Sequence, residues 1–364
     1  MDVTPEKGAS VPPTRPGTML QRNGDEIVVC GQMFHTGTRV VTWLEHNGYN
    51  AYSCTNTVVQ TASPPPPPAL RYGTRKVRAK KGIVYPSSRL SLDRDDPSSR
   101  SNPFAAHNWE EVRPSYWDII NLQQAVHQVV IHYDGCGTAR RCFKVLHDER
   151  TLSCHFIIDI DGTVYQTLDL RERAWHATVA NDCSIGIEIC QVGAVGLEDG
   201  NDLFNRWYAA DGDGGVRLTV PPEVAAGEAA EEAGPSRGGS PVRTLEPGGD
   251  LRPARPEVVT GDIHGVKLRQ HDFTKEQYDA LGCLLASLCN IFPRVRPTYP
   301  RDKGGKLVTT KLADDELANF EGLVGHYHVQ TNKIDPGPAF QWDHVAALVE
   351  VGALAEDFAA SAVC

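Results

Sequence analysis

Three stretches do most to limit what this chain can fold into: "HQVVIHY" (127–133), "SCHFIIDIDGTVYQT" (153–167) and "SIGIEIC" (184–190). The first and last are short, β-branched runs that read as buried strands. The second reads as a hairpin, two apolar strands around an Asp161-Gly162 turn. Helices lie between and after them. "ARRCFKVLHDER" (139–150) carries Cys142, Phe143 and Leu146 at helical spacing. Thr274-Lys275-Glu276-Gln277 reads as a capping box, opening a helix whose apolar face holds Tyr278, Leu281, Leu285 and Leu288. A last amphipathic helix is expected from about Asp343 to Phe358. Strand, helix, hairpin, strand and helix describe one α/β domain, a central mixed β-sheet flanked by helices.

The remainder divides by composition. Residues 1–23 are polar and proline-containing and read as a disordered N-terminus. Residues 24–60 read as a small β-rich extension, with two or three short strands and Gly turns between Glu26 and Tyr52. Residues 61–105 combine Pro64–Pro68, the basic run Arg71–Lys81 and a Ser/Asp/Arg-rich piece, which makes them a linker. The main domain is expected over 106–358. A long low-complexity insertion at 196–262, expected to be mobile, interrupts it.

A formal net charge of −10 argues against nucleic acid as a partner, and the basic run reads as solvated linker. No apolar stretch approaches the roughly 20 residues that span a bilayer. "MDVTPEKGASVPP" has no apolar core of a signal peptide. The expectation is cytoplasmic by default, with the cell envelope or secretion open if a leader is missing or export is unconventional. The ten cysteines show no zinc-finger spacing. Cys136 and Cys142 suit either a local disulfide or a partly buried helix start.

The chemistry concentrates in "GHYHVQTNKIDPGPAFQW" (325–342). No helix runs through Asp335-Pro336-Gly337-Pro338, so Lys333 and Asp335 fall on an extended or turning segment and point to one side. A lysine and a carboxylate near histidines are half of a metal site or a surface ion pair, and both readings stand. A catalytic zinc takes three protein ligands of N, O or S type and leaves a fourth position open. His132 at a strand end, His326 after Gly325, and Asp335 are the candidates. Each has a structural reading too: strand-end histidines are commonly packing residues, and Asp before Pro-Gly is a turn former.

Taken together, the strand-ending His132, "AWHA" (174–177), "NDCSIGIE" (181–188) and the 325–342 segment resemble the zinc-dependent N-acetylmuramoyl-L-alanine amidases of the type 2 amidase family. Peptidoglycan recognition proteins share that fold. The resemblance covers roughly 126–195 and 270–350. It implies Zn2+ as cofactor, with His132, His326 and Asp335 as ligands. It implies Glu188 as the catalytic carboxylate and Lys333 as the lysine beside the last ligand. His176, Asn181 and Trp175 match positions at the substrate groove, and the substrate is peptidoglycan or a muropeptide. The implied reaction is hydrolysis of the muramoyl–L-alanine amide by a zinc-activated water, with Glu188 as general base and acid and Lys333 stabilising the oxyanion. Nine positions separate His326 from Asp335, one fewer than in many members, so His328 stays open as a ligand. Cys136 and Cys142 match a disulfide of some recognition proteins. A non-catalytic peptidoglycan-binding protein is the alternative, and such a protein is expected to lack one or more ligands. A different zinc amide hydrolase is a third reading.

Overall fold

The buried strands of the sequence assemble into a six-stranded sheet in a computed structural model that describes residues 22–52, 118–212, 214–232 and 250–361. The chain enters through β1 (Glu26–Val29), β2 (Gln32–His35) and β3 (Val40–Thr42). Then come α1 (Ile119–Ala125), β4 (Gln128–Tyr133) and α2 (Ala139–Phe143), which runs on into a π-helical turn, Lys144–Glu149. β5 (Phe156–Ile158) and β6 (Val164–Gln166) form the expected hairpin. A 3-10 turn (Thr178–Asp182) leads into β7 (Ser184–Ile189).

Next are β8 (Val195–Gly196), α3 (Asp202–Trp207), β9 (Tyr208–Ala210), β10 (Val216–Leu218) and α4 (Pro222–Glu232). β11 (Val259–Ile263), β12 (Val266–Gln270) and α5 (Lys275–Ile291) follow. α6 (Asp314–Asn319), β13 (Gly322–Gly325), α7 (His326–Val329) and α8 (Trp342–Ser361) complete the fold.

The sheet order is β13-β4-β7-β5-β6-β3, with β13, β4, β7 and β5 mutually parallel and β6 antiparallel to β5. Burial on both faces explains why β4 and β7 read as near-continuous apolar runs. On one face Val129, Ile131, Ile185 and Ile187 pack with Leu281, Leu285 and Leu288 of α5 and Val345 of α8. On the other face Val130 and Val324 meet Ala177, Leu317 and Val329. Further along that face, Ile157 and Tyr165 meet Ala139 and Phe143. The capping box forms as expected: Gln277 N–H donates to Thr274 Oγ1 and Thr274 N–H to Gln277 Oε1, at 3.1 and 3.0 Å. Gly162 has φ +80°, and a Cβ there would strike the Glu276 backbone at the start of α5.

The structure refines three readings. The N-terminal β-rich extension joins the main domain, because β3 pairs in parallel with β6 as the last strand of the central sheet. The β1–β2 hairpin is fastened too: Gln166 bonds both Val28 N–H and Val28 C=O at 2.8 Å, and Asp169 accepts from Cys30 and Gly31 N–H. Second, the stretch 196–262 is not simply a loop. β11, β12 and β8 make a three-stranded antiparallel sheet, β9 and β10 pair, and Phe204, Trp207, Tyr208 and Val224 bury one another. The aromatic anchors precede the Ala/Gly/Pro-rich run whose composition dominates a reading of the segment. Third, of the two readings open for Cys136 and Cys142, the structure has both as free thiols. Cys136 is held in a turn around the Asp134 carboxylate, while Cys142 lies on the buried side of α2. Among the described residues no helix is long and apolar enough to cross a membrane. The linker at 61–105 and residues 1–21 lie outside the described residues.

Gly137, at φ +90°, leaves room for the Trp207 ring, which a Cβ would enter. Trp207→Ala is therefore expected to cost about 3–5 kcal/mol by urea unfolding, as for other buried aromatics. His271 stacks on Tyr208, and burial, with the Arg269 charge adding, pulls its pKa down to about 4. The unfolded chain, with an ordinary histidine near 6.5, then binds more protons between those values. Stability present at neutral pH is lost as pH falls from about 6.5 to about 4, by about 2–3 kcal/mol from this residue. Melting temperatures of His271→Phe should show a correspondingly flatter acid limb than those of the parent protein.

Candidate active site

β13, β4 and β7 lie side by side, and their register sets three side chains in one row. Gly325 pairs with Ile131, and His132 pairs with Glu188. His326, the residue after Gly325, therefore stands level with His132. All three sit at the carboxyl ends of parallel strands, the edge at which open α/β sheets hold ligands. Ile131 and Ile187 face α5 and α8, so the alternation of a strand turns His132 and Glu188 to the opposite face.

Asp335 completes the group from the loop after α7, where its carbonyl accepts from Tyr327 N–H at 3.2 Å. His132 Nδ1 and His326 Nδ1 lie 2.8 and 2.9 Å from the same carboxylate oxygen, Asp335 Oδ2, and 3.0 Å from each other. All three residues are buried. The outer nitrogens are engaged: His132 Nε2 is 3.0 Å from His176 Nδ1, and His326 Nε2 is 2.8 Å from Gln330 Oε1. Each ring is thereby turned with Nδ1 towards the shared point. Two imidazole nitrogens and one carboxylate oxygen, converging and backed by outer hydrogen bonds, fit a catalytic zinc with one position open. His328 offers no nitrogen to such an ion. Its Nδ1 accepts from Gly325 N–H at 2.8 Å, its Nε2 donates to Val308 C=O at 2.6 Å, and burial pulls its pKa down to about 3.

Burial, and then the neighbouring His326, draws His132 down to about 4 and keeps it a neutral donor. Burial alone would raise Asp335, but His326 and His132 outweigh it and hold the carboxyl well below its usual range. Glu188 goes the other way. Burial pushes it well above the ordinary carboxyl range, Asp335 and Asp134 add to the shift, and the Lys333 charge opposes it. Glu188 Oε2 is buried with no hydrogen-bond partner among the described residues. Lys333 itself is half-buried, two residues before Asp335.

The three residues expected at the substrate groove separate. Trp175, next to His176 in the chain, is 46% exposed. His176 instead backs His132, and Gly186 makes that possible, because a Cβ at 186 would lie 2.7 Å from the His176 ring. Asn181 is fully buried, and its Oδ1 accepts from the N–H groups of His176 and Ala177 at 3.0 and 2.6 Å. It therefore braces the His176 loop from within the core. Gln330 was not foreseen. Its signal was its spacing, four residues after His326 and on the same side of a helical turn.

Residues 122–233 match the family described as Amidase_2, N-acetylmuramoyl-L-alanine amidase. The matched segment contains His132 and Glu188 and ends before His326 and Asp335. No curated protein sequence matches the chain. Among solved structures it is similar to the N-acetylmuramyl-L-alanine amidase AmiD from E. coli in complex with an anhydro-N-acetylmuramic acid peptide. That likeness has a TM-score of 0.33 and 17% identity, over 62% of this chain and 57% of that one. AmpD gives a TM-score of 0.30 and 17% identity, over 62% and 86% of the two chains. The endolysin amidase LysCS from Clostridium intestinale gives 0.30 and 14%, over 63% and 86%.

Gly186→Ala tests how the site is assembled. The added methyl is expected to displace His176, release His132 Nε2 and weaken the affinity of the His-His-Asp cluster for added zinc by about tenfold to a hundredfold, the usual cost of losing an outer hydrogen bond. Competition with a chromophoric chelator would measure it.

Proposed function

We propose that this chain, whose residues 122–233 match the N-acetylmuramoyl-L-alanine amidase family, hydrolyses the amide between N-acetylmuramoyl residues and L-alanine of peptidoglycan or muropeptides. The observation that carries this reading is Glu188: a buried carboxyl with an unpartnered oxygen, in register with one member of a His-His-Asp cluster. Buried carboxyls usually find hydrogen-bond donors.

A zinc ion held by His132, His326 and Asp335 would supply Lewis acidity to the scissile carbonyl. Glu188 takes a proton from the attacking water as its oxygen bonds to the carbonyl carbon, and returns it to the alanine nitrogen as the C–N bond breaks. Burial raises its affinity for a proton, which strengthens it as the base of the first step, and the Lys333 charge opposes that rise. Lys333 also offsets the negative charge that grows on the carbonyl oxygen. His176 and Gln330 keep the two imidazoles aimed, and Trp175 offers a face for the sugar or peptide.

The test is release of stem peptide from a soluble muramoyl peptide, followed by mass spectrometry. Cleavage at the lactyl–alanine bond should disappear with a zinc chelator and return with zinc. Glu188→Gln should lose about 10²- to 10⁴-fold in rate while still binding the metal. If the folded, zinc-loaded protein retains muropeptides but leaves them uncut, the binding-protein alternative takes over.

A further inference from the structure

The proposed zinc site depends on three loops, one after each of His132, Glu188 and Asp335, and a single buried amide network ties them together. Gln270, the last residue of β12, is fully buried. Its Nε2 donates to Pro336 C=O at 3.1 Å and to Gln191 Oε1 at 2.9 Å, while its Oε1 accepts from Ala339 N–H at 3.0 Å. Gln191, three residues beyond Glu188, donates its own N–H to Asp134 Oδ1 at 2.8 Å, two residues beyond His132. The β11–β12 hairpin also presses directly on the loop. A Cβ at Gly337 would collide with the Gln270 amide, and one at Gly261 in β11 would lie 2.6 Å from Pro338 Cβ. Gly337 has φ +84°, so the loop accepts the amide only with glycine there.

We propose that Gln270 is a positioning residue that sets the metal affinity of the site, by fixing the Asp335–Ala339 loop to the ends of β4 and β7. The proposal rests on the zinc reading above. The physical ground is that a ligand on a loop is only as well placed as the backbone behind it. Here two backbone groups of the loop beyond Asp335, Pro336 C=O and Ala339 N–H, both end on one side chain. Removing that side chain's hydrogen bonds frees the carboxylate to wander from a point it must share with two imidazoles 3.0 Å apart. Gly261 of β11, which lies against Pro338, belongs to the 196–262 segment, so that segment also touches the loop.

The experiment uses the full chain as Gln270→Met, which keeps the length and removes every hydrogen bond, and as Gln270→Asn, which cannot span Pro336 and Ala339. Gln166→Met is the control. It removes an equally buried amide, bonded to Val28 and Leu168 on the other side of the sheet. Zinc affinity is read by chelator competition, coordination geometry by the visible spectrum of the cobalt-substituted protein, and folding by melting of the metal-free protein. Expected for both Gln270 variants is a loss of roughly tenfold to a hundredfold in zinc affinity with an altered cobalt spectrum. Gln166→Met should keep both at wild-type values even where it melts earlier. Wild-type affinity and spectrum in a folded Gln270 variant would overturn the positioning role alone, as would an equal loss in the control. No zinc or cobalt binding by the wild-type protein would overturn the zinc reading and this proposal with it.

Discussion

The in-register parallel pairing of β13, β4 and β7 is the constraint on which the site depends. It brings residues distant in sequence to one level, so that His326, His132 and Glu188 stand in a row at the carboxyl edge of the sheet. Side chains alternate along a strand, so a slip of one residue in β4 would send His132 into the layer of α5 and α8 and bring Ile131 to the site. The apolar residues between are what forbid the slip. Ile131, Ile185 and Ile187 on one face and Val130 on the other are buried in layers that cannot exchange members. The chemistry is thus specified by packing that takes no part in it.

The site gathers groups that ordinary stability would keep apart. Two buried imidazoles share one carboxylate oxygen, and a second carboxyl is buried nearby with an oxygen left unmatched. Buried polar groups are expensive unless their partners are in place, and such arrangements persist where function requires them. The surrounding fold compensates with hydrogen bonds of ordinary kind: Gln330 on one ring, His176 on the other, and Asn181 under the His176 backbone. Each is a single residue with one geometric duty.

Much of this architecture was legible in the sequence, where local patterning and buried strands leave clear signatures. The Thr274–Gln277 cap, the β5–β6 hairpin and the alternation of strand and helix needed only period and turn chemistry. The gathering of His132, Glu188, His326 and Asp335 was legible only through blocks occurring together, because register between distant strands leaves no mark in either one. What escaped had physical reasons too. Asn181 holds the N–H groups of His176 and Ala177 on its oxygen, a duty that nothing in its own stretch of sequence announces. The two glutamines, 270 and 330, carry no charge and no metal preference, so nothing local separates them from surface polar residues. The ordered part of 196–262 was masked by its Ala, Gly and Pro content, although Phe204, Trp207 and Tyr208 were there to be read as anchors.

β3 has a consequence of its own. It lies along β6 as the outermost strand, delivered there from the N-terminal side of the chain. Without it, β6 would present an open row of N–H and C=O groups, a template on which another molecule's strand can add. The N-terminal segment therefore covers the β6 edge of a domain whose site lies elsewhere. A chain shortened to begin at α1 would keep every residue of the site and still be prone to stick to its neighbours.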